Sequence, residues 1–262
     1  MPVRTPTRLS DANRAEYWEF GYLRVPGLLS PHAVAGLEAR FLEIASGSVP
    51  IPESMIIMKD VMVVKGAIEA RSAVRGVNKI LSFENDPSLF AYALDAGLLG
   101  VVRALVGHEL QTISTNVFNK PPEIDGRHPL HQDLRYFALR PVDSIVGTWT
   151  AISPVSRDNG CLAVIPGSHR EGLLVHGRPD WEFVNRGFHA AEGVDVGRRV
   201  HIEMAPGDTL FMHPLLVHGS GRNRTQECRR AISAHYASRS CERPPGTPKR
   251  APVVRAIPDG PL

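Results

Sequence analysis

Apolar positions recur at helical spacing in the first third of the chain and fall in short, strand-length runs through much of the rest. Ser30 followed by Pro31 marks a helix start, with a hydroxyl cap and then a proline where its missing N–H costs nothing. Val34, Leu37, Phe41 and Ile44 then share one helical face, and Gly47 is the expected stop. A shorter helix is predicted from about Asp11 to Phe20, closed by Gly21, followed by a strand at Tyr22–Val25 that ends at Pro26-Gly27. Residues 87–106 form another predicted helical region, opened by Asp86-Pro87 and interrupted by Gly97 and Gly100. From about residue 109 short strands are expected at 110–118, 132–138, 145–153, 161–165, 199–204, 209–217 and 230–238. Turn clusters separate them, such as Asp158-Asn159-Gly160 and Pro206-Gly207-Asp208. Many short strands suggest a sandwich or barrel, and helices ahead of them suggest a helical layer on an antiparallel sheet.

The 262 residues show no internal repeat and no linker, so one domain is expected, with a core over about 15–240. Six of the 22 prolines fall in 242–262, and the segment 241–262 reads as a loop or disordered strap. Hydrophobic residues at 43% and charged residues at 22% exclude disorder, collagen and coiled coil as descriptions of the whole. A net charge of +3 tolerates an anionic ligand but gives no argument for nucleic acid. No run approaches a membrane span. Three cysteines do not make a secreted disulfide framework. The N-terminus lacks the apolar segment of a signal peptide, and Arg8-Leu9 does not open a peroxisomal address; a reduced, cytoplasmic location is the expectation.

Chemistry enters through spacing. On a strand, His131 and Asp133 in His131-Gln132-Asp133 would point to one face. With a third nitrogen ligand they would make a two-histidine, one-carboxylate triad with open positions, the arrangement of non-haem iron oxygenases. Residues 206–217 read as a turn and buried strands that deliver His218 before Gly219-Ser220-Gly221. Eleven residues later Arg229 opens another apolar strand; aimed inward, it needs an anion, from a protein acid or from a dicarboxylate held by its planar fork. His128, three before His131, would face away on a regular strand, and His213 likewise changes face relative to His218. His169 is expected to serve its loop, and Cys161 to pack as a small core residue. A zinc hydrolase would want a third histidine or a helical His pair with a glutamate base, and neither motif is present.

The run His128-Pro129-Leu130-His131-Gln132-Asp133 begins a set of ordered blocks. It continues with Trp149-Thr150-Ala151, Asn159-Gly160-Cys161-Leu162 and Pro166-Gly167-Ser168-His169. The last block runs from His213 to Gly221 and on through Asn223, Thr225, Gln226, Arg229 and Ala231-Ile232-Ser233; Asn119-Lys120-Pro121-Pro122 matches upstream. In these blocks the chain resembles the phytanoyl-CoA dioxygenase family over roughly residues 15–240. The resemblance implies a mainly β (α+β) fold, a double-stranded β-helix or jelly roll, with N-terminal helices packed on one sheet. It implies an Fe(II)- and 2-oxoglutarate-dependent dioxygenase that hydroxylates an aliphatic C–H and releases succinate and CO2, using O2 and, as a reductant, ascorbate.

Carried over residue by residue, it makes His131, Asp133 and His218 the iron ligands and catalytic centre. Arg229 and Ser220 would hold the distal carboxylate of 2-oxoglutarate, Trp149 would line the cosubstrate pocket, and Lys79 and Asn116 would lie in the same neighbourhood. Asp133 argues against halogenation, because related halogenases vacate that carboxylate position. The expected substrate is a small molecule, most closely C2 of a branched or long-chain acyl-CoA, with Lys120, Arg127, Arg135, Arg170, Arg222 and Arg224 as surface partners for its phosphates. The same chemistry on a small metabolite or natural product, or a non-catalytic metal-binding homologue, is the alternative.

Overall fold

Each principal helix starts where a short polar side chain caps it. Ser10, Ser30, Asp86 and Asp95 each accept a hydrogen bond from the backbone N–H three residues on. Gly21 and Gly47 end the first two helices in the left-handed conformation. The computed structural model describes residues 9–122, 124–246 and 255–258.

In chain order the elements begin α1 (Asp11–Phe20), β1 (Tyr22–Val25), α2 (Pro31–Ser46), β2 (Ile56–Lys59), α3 (Val61–Val64), α4 (Ala73–Gly76) and β3 (Val77–Leu81). There follow α5 (Pro87–Ala93), α6 (Ala96–Val106), β4 (Leu110–Lys120), β5 (His128–His131), β6 (Ile145–Ala151) and β7 (Leu162–Val164). The chain then runs through β8 (His176–Gly177), β9 (Ala190–Ala191), β10 (Val200–Ile202), β11 (Thr209–Met212), β12 (His218–Ser220), β13 (Arg229–Ser238) and β14 (Arg255–Ala256).

Two antiparallel sheets face one another as a jelly roll. The larger has the order β1-β11-β6-β13-β4-β3-β2, and the smaller β10-β7-β12-β5. Alternation along β13 sorts its side chains. Ile232, Ala234 and Tyr236 join the helical core with Tyr17, Leu37, Phe41, Phe90 and Val102, so α1, α2, α5 and α6 cover the outer face of the large sheet. Arg229, Ser233 and His235 face the cleft between the sheets, where Trp149, Leu162, Val164, Leu210 and Met212 pack. Arg230, one residue out of phase with Arg229, reaches the other way to pair with Glu38 and stack on Phe41 of α2. Among the described residues no single helix is long and apolar enough to cross a membrane.

Several expectations are corrected. Residues 132–138 hold no strand: β5 ends at His131, and Asp133–Arg135 is a 3-10 turn. The run 209–217 is a strand only to Met212, because His213-Pro214 turns the chain. Gly97 and Gly100 lie inside α6; the break comes earlier, where Asp95 caps a new helix. β2, β3, β5 and β12 had no counterpart among the expected strands. The tail is not a bare strap: Arg255 and Ala256 pair with Thr112 and Gln111 of β4, and Ile257 is buried in the helical core. Residues 247–254 and 259–262 of that tail lie outside the described residues.

Candidate active site

Local structure converges on Asp133. β5 is the edge of the small sheet and pairs with β12, but His218 lies opposite His131 while Ser220 lies opposite His128. Three residues of β12 therefore oppose four of β5, a bulge that accommodates Pro129, which has no N–H to give the ladder. Gln132 next to it is fully buried. Its side-chain amide donates to the carbonyls of Gly172 and Leu215 and accepts from the N–H of Leu174. That pins the loop after β7 and the turn before β12 to the end of β5, and the 3-10 turn behind it swings Asp133 inward.

His131, Asp133 and His218 are all buried, and their ligand atoms lie within 4.8 Å of one another. His131 Nε2 is 3.3 Å from Asp133 Oδ1, and His218 Nε2 is 3.7 Å from Asp133 Oδ2. The second nitrogen of each ring fixes the tautomer. Nδ1–H of His131 donates to the carbonyl of Pro129 at 2.9 Å, and Nδ1–H of His218 to that of Leu216 at 3.0 Å. In the neutral rings both Nε2 lone pairs then point at a carboxylate, which repels unless a cation sits between them. Two neutral imidazoles oriented by backbone carbonyls and one carboxylate fit a divalent transition metal well.

The electrostatics agree. Burial pushes the His218 imidazole down to about 4, against the pull of Asp133, so it is neutral at pH 7. Burial alone would raise Asp133, but the rings of His218 and His235 and the hydrogen bond from His235 hold its carboxyl well below the usual range.

Around this centre lies a cavity of about 330 Å³. It brings together every candidate: Lys79, Asn116, Trp149, Ser220 and Arg229 all line it with the three ligands. Arg229 is buried, donates from Nη2 to the carbonyl of Gly160 at 3.0 Å, and lies 5.3 Å over the ring of Trp149. Burial lowers its pKa to about 10, so the guanidinium stays charged. Its Nε has no partner, and among the described residues it forms no ion pair with a protein acid. Asn116 donates to Ser114 and Ser233 on the cavity wall. Lys79 stands 4.6 Å over Phe118, and burial lowers its ammonium to about 8, with Asp133 pulling it up.

Two residues stand elsewhere than the sequence placed them, and a third had no expectation attached. The bulge turns His128 into the cavity, where its Nδ1 is 3.2 Å from His131 Nδ1 and its ring lies against Phe188. Lys120 is buried at 5% exposure and lines the cavity, so it is no surface partner for phosphates. His235, which had no sequence motif, donates from Nε2 to Asp133 Oδ2 at 2.8 Å. Only its phase with Arg229 on β13, six residues on, could have flagged it. Of the remaining surface candidates, Arg127 and Arg222 both pair with Asp125, while Arg135, Arg170 and Arg224 are exposed. His213 bonds to Asp143 and His169 to the carbonyl of Trp18, both outside the cavity lining, and Cys161 is a buried part of the core between the sheets.

The family model described as phytanoyl-CoA dioxygenase (PhyH) matches residues 17–231. The chain is 42% identical over 244 residues to a probable phytanoyl-CoA dioxygenase of Caenorhabditis elegans, covering 90% of this chain and 78% of that protein. It is 40% identical over 233 residues to the peroxisomal phytanoyl-CoA dioxygenase of Homo sapiens, covering 87% of this chain and 68% of the human one. Its fold is similar to that of the epimerase SnoN, solved in complex with Fe3+, alpha-ketoglutarate and nogalamycin RO, with a TM-score of 0.65, 22% identity and coverage of 96% and 94%. Blocks legible in the sequence, a jelly roll around a His-Asp-His centre and these likenesses agree: the chain belongs to the phytanoyl-CoA dioxygenase family and is an iron- and 2-oxoglutarate-dependent oxygenase.

Proposed function

We propose that this enzyme hydroxylates C2 of a branched or long-chain acyl-CoA. The observation that carries the reading is about 40% identity, over nearly nine-tenths of the chain, to phytanoyl-CoA dioxygenases. Fe(II) bound at these donors, with 2-oxoglutarate and O2, supplies an oxidative decarboxylation that yields succinate and CO2 and delivers one oxygen atom to an unactivated C–H. Ascorbate would serve as the reductant that keeps the iron ferrous.

The chain's own part is placement. His131, Asp133 and His218 hold the metal through Nε2, one carboxylate oxygen and Nε2. Arg229 and Ser220 receive the distal carboxylate of 2-oxoglutarate, with the Trp149 ring as the floor beneath the guanidinium. Asn116 and Lys79 stand along the wall within reach of the cosubstrate or the thioester. Part of the lining is apolar, with Met58, Leu81, Phe118, Phe137 and Phe188, and that part suits an alkyl chain.

A cavity of about 330 Å³ is small beside a CoA thioester, so only the carbons around C2 would enter and the nucleotide would stay outside. Arg135 and Arg224 are exposed and free of the Asp125 pairing, and they are the better phosphate partners. The test incubates the iron-loaded enzyme and 2-oxoglutarate with phytanoyl-CoA, a straight-chain acyl-CoA, the free acid or nothing, and scores 2-hydroxy product by mass. A hydroxylated thioester is expected. If succinate forms slowly but no thioester is hydroxylated, the acyl-CoA assignment fails and a small metabolite becomes the substrate to seek.

A further inference from the structure

Lys120 is a buried cation that the iron chemistry has not used. It ends β4 directly opposite Arg229 at the start of β13, so two cations form a cross-strand pair. Like charges placed opposite one another destabilise a sheet, and burial adds to the cost. Burial first, and the charge of Arg229 second, push the Lys120 ammonium well below its ordinary range. Asp125, whose charge pulls the other way, is already committed to Arg127 and Arg222. Two buried cations side by side, with no carboxylate paired to either among the described residues, describe a place made for an anion.

The donor count shows how that anion would be met. Lys120 Nζ donates to Ser220 Oγ at 2.8 Å and to the carbonyl of Gly221. An ammonium has three donors, so one N–H remains for the cavity. Because Ser220 Oγ already accepts from Lys120, its own hydrogen is free to donate. Arg229 keeps four of its five N–H groups after bonding to the Gly160 carbonyl, and its Nε has no partner. Gly160 lies between the two cations: its carbonyl takes Arg229, and a Cβ there would stand 3.1 Å from Lys120 Cδ and 2.6 Å from the Gly221 carbonyl. Asn223 fixes the lysine from behind by donating to its backbone carbonyl at 2.8 Å. A long, flexible side chain is thus held in one place, with one donor left over, in the wall of the cavity.

We propose that Lys120 is a cosubstrate-binding residue, and that its ammonium, the Ser220 hydroxyl and the Arg229 guanidinium together clasp the distal carboxylate of 2-oxoglutarate. This rests on the reading that 2-oxoglutarate lies with that carboxylate toward Arg229. The ammonium also turns Ser220 into an obligate donor, which favours a carboxylate end over a neutral one.

The experiment uses full-length protein loaded with Mn(II), so that binding is measured without turnover. Titration calorimetry compares 2-oxoglutarate with 2-oxopentanoate, which has a methyl in place of the distal carboxylate. The wild type is expected to prefer 2-oxoglutarate strongly. Lys120→Met should weaken 2-oxoglutarate about tenfold to a hundredfold and leave 2-oxopentanoate within about twofold. Lys120→Gln keeps donors for Ser220 and Gly221 without the charge. It should hold the wild-type melting temperature and show the same selective loss, even if the methionine variant does not fold.

Equal weakening of both ligands in the Gln variant would mean that Lys120 is only a structural clamp, and unchanged 2-oxoglutarate binding would equally overturn the proposal. Arg229→Met separates the two levels of the argument. If it loses the preference while Lys120→Gln keeps it, the cosubstrate orientation stands and Lys120 falls out of it. If the wild type itself does not prefer 2-oxoglutarate, the orientation is wrong and the inference fails with it.

Discussion

Asp133 Oδ2 accepts from His235 at 2.8 Å, while Oδ1 faces His131 Nε2, so the two oxygens have different work. One is turned by a neighbour and the other is left for a metal. Asp133→Ala should therefore abolish hydroxylation and almost all specific metal binding. His235→Leu should keep the ligands but release the carboxylate, lowering metal affinity about tenfold to a hundredfold. Competition between Mn(II) and a chelator, followed by the Mn(II) spin signal, measures both; equal affinity in His235→Leu and wild type would leave His235 without a positioning role. At this scale the sequence showed much. His131, Asp133, His218, Arg229 and Trp149 stood in recognisable blocks, and all five line one cavity. His235 and Lys120 were hidden for a physical reason: Lys120 takes its meaning from a cross-strand neighbour, and His235 from an aspartate in a turn 102 residues away, and neither placement is written locally. Gln132 carries no signal of its own in the sequence, yet its amide binds two turns to the end of β5.

Among the elements, β5 and β12 carry the argument. Counting residues by two placed His128 on the wrong face, because a regular strand was assumed where the chain inserts a bulge. The Pro129 in that run was the one available signal, since proline in a strand marks an edge or a bulge. The helices were legible because capping residues and spacing act within one turn; β2, β3 and β12 are short strands whose existence depends on partners far along the chain. The same pair of strands supplies a sensitive test. A Cβ on Gly219 would meet the His128 carbonyl at 2.8 Å and the Leu130 nitrogen at 2.9 Å, which are backbone atoms that cannot step aside. Gly219→Ala should part β12 from β5, separate His218 from His131 and weaken metal binding more than its single methyl would suggest. A melting temperature and metal affinity both equal to wild type would show that the strands can slide apart without cost.

For the whole molecule, acid is the expected weakness of the metal-free protein. The folded pKa of His218, about 4, lies below the value near 6.5 of an exposed imidazole, so the unfolded chain binds more protons in that interval. The stability contributed by the neutral ring is complete above about pH 6.5 and is lost as pH falls toward 4. His128 and His213, also pushed downward, act with the same sign, and Asp133 adds a loss of the same sign at pH values below that interval. Melting temperatures of the metal-free protein should decline steadily across that interval, and a flat profile would contradict the buried, neutral site. The far end of the chain matters at this scale too. β4 pairs with β3 only through its C-terminal half, and β14 covers the backbone of Gln111 and Thr112. Removing residues 255–262 should lower the melting temperature, because buried Ile257 leaves the core at about 2–5 kcal/mol for such a side chain. It should also bare a row of unpaired amides and carbonyls beside an apolar surface, the template on which strands of separate molecules add to one another. Light scattering that rises with protein concentration in the truncated chain, and not in the full one, would show that its last ordered strand is a guard against self-association.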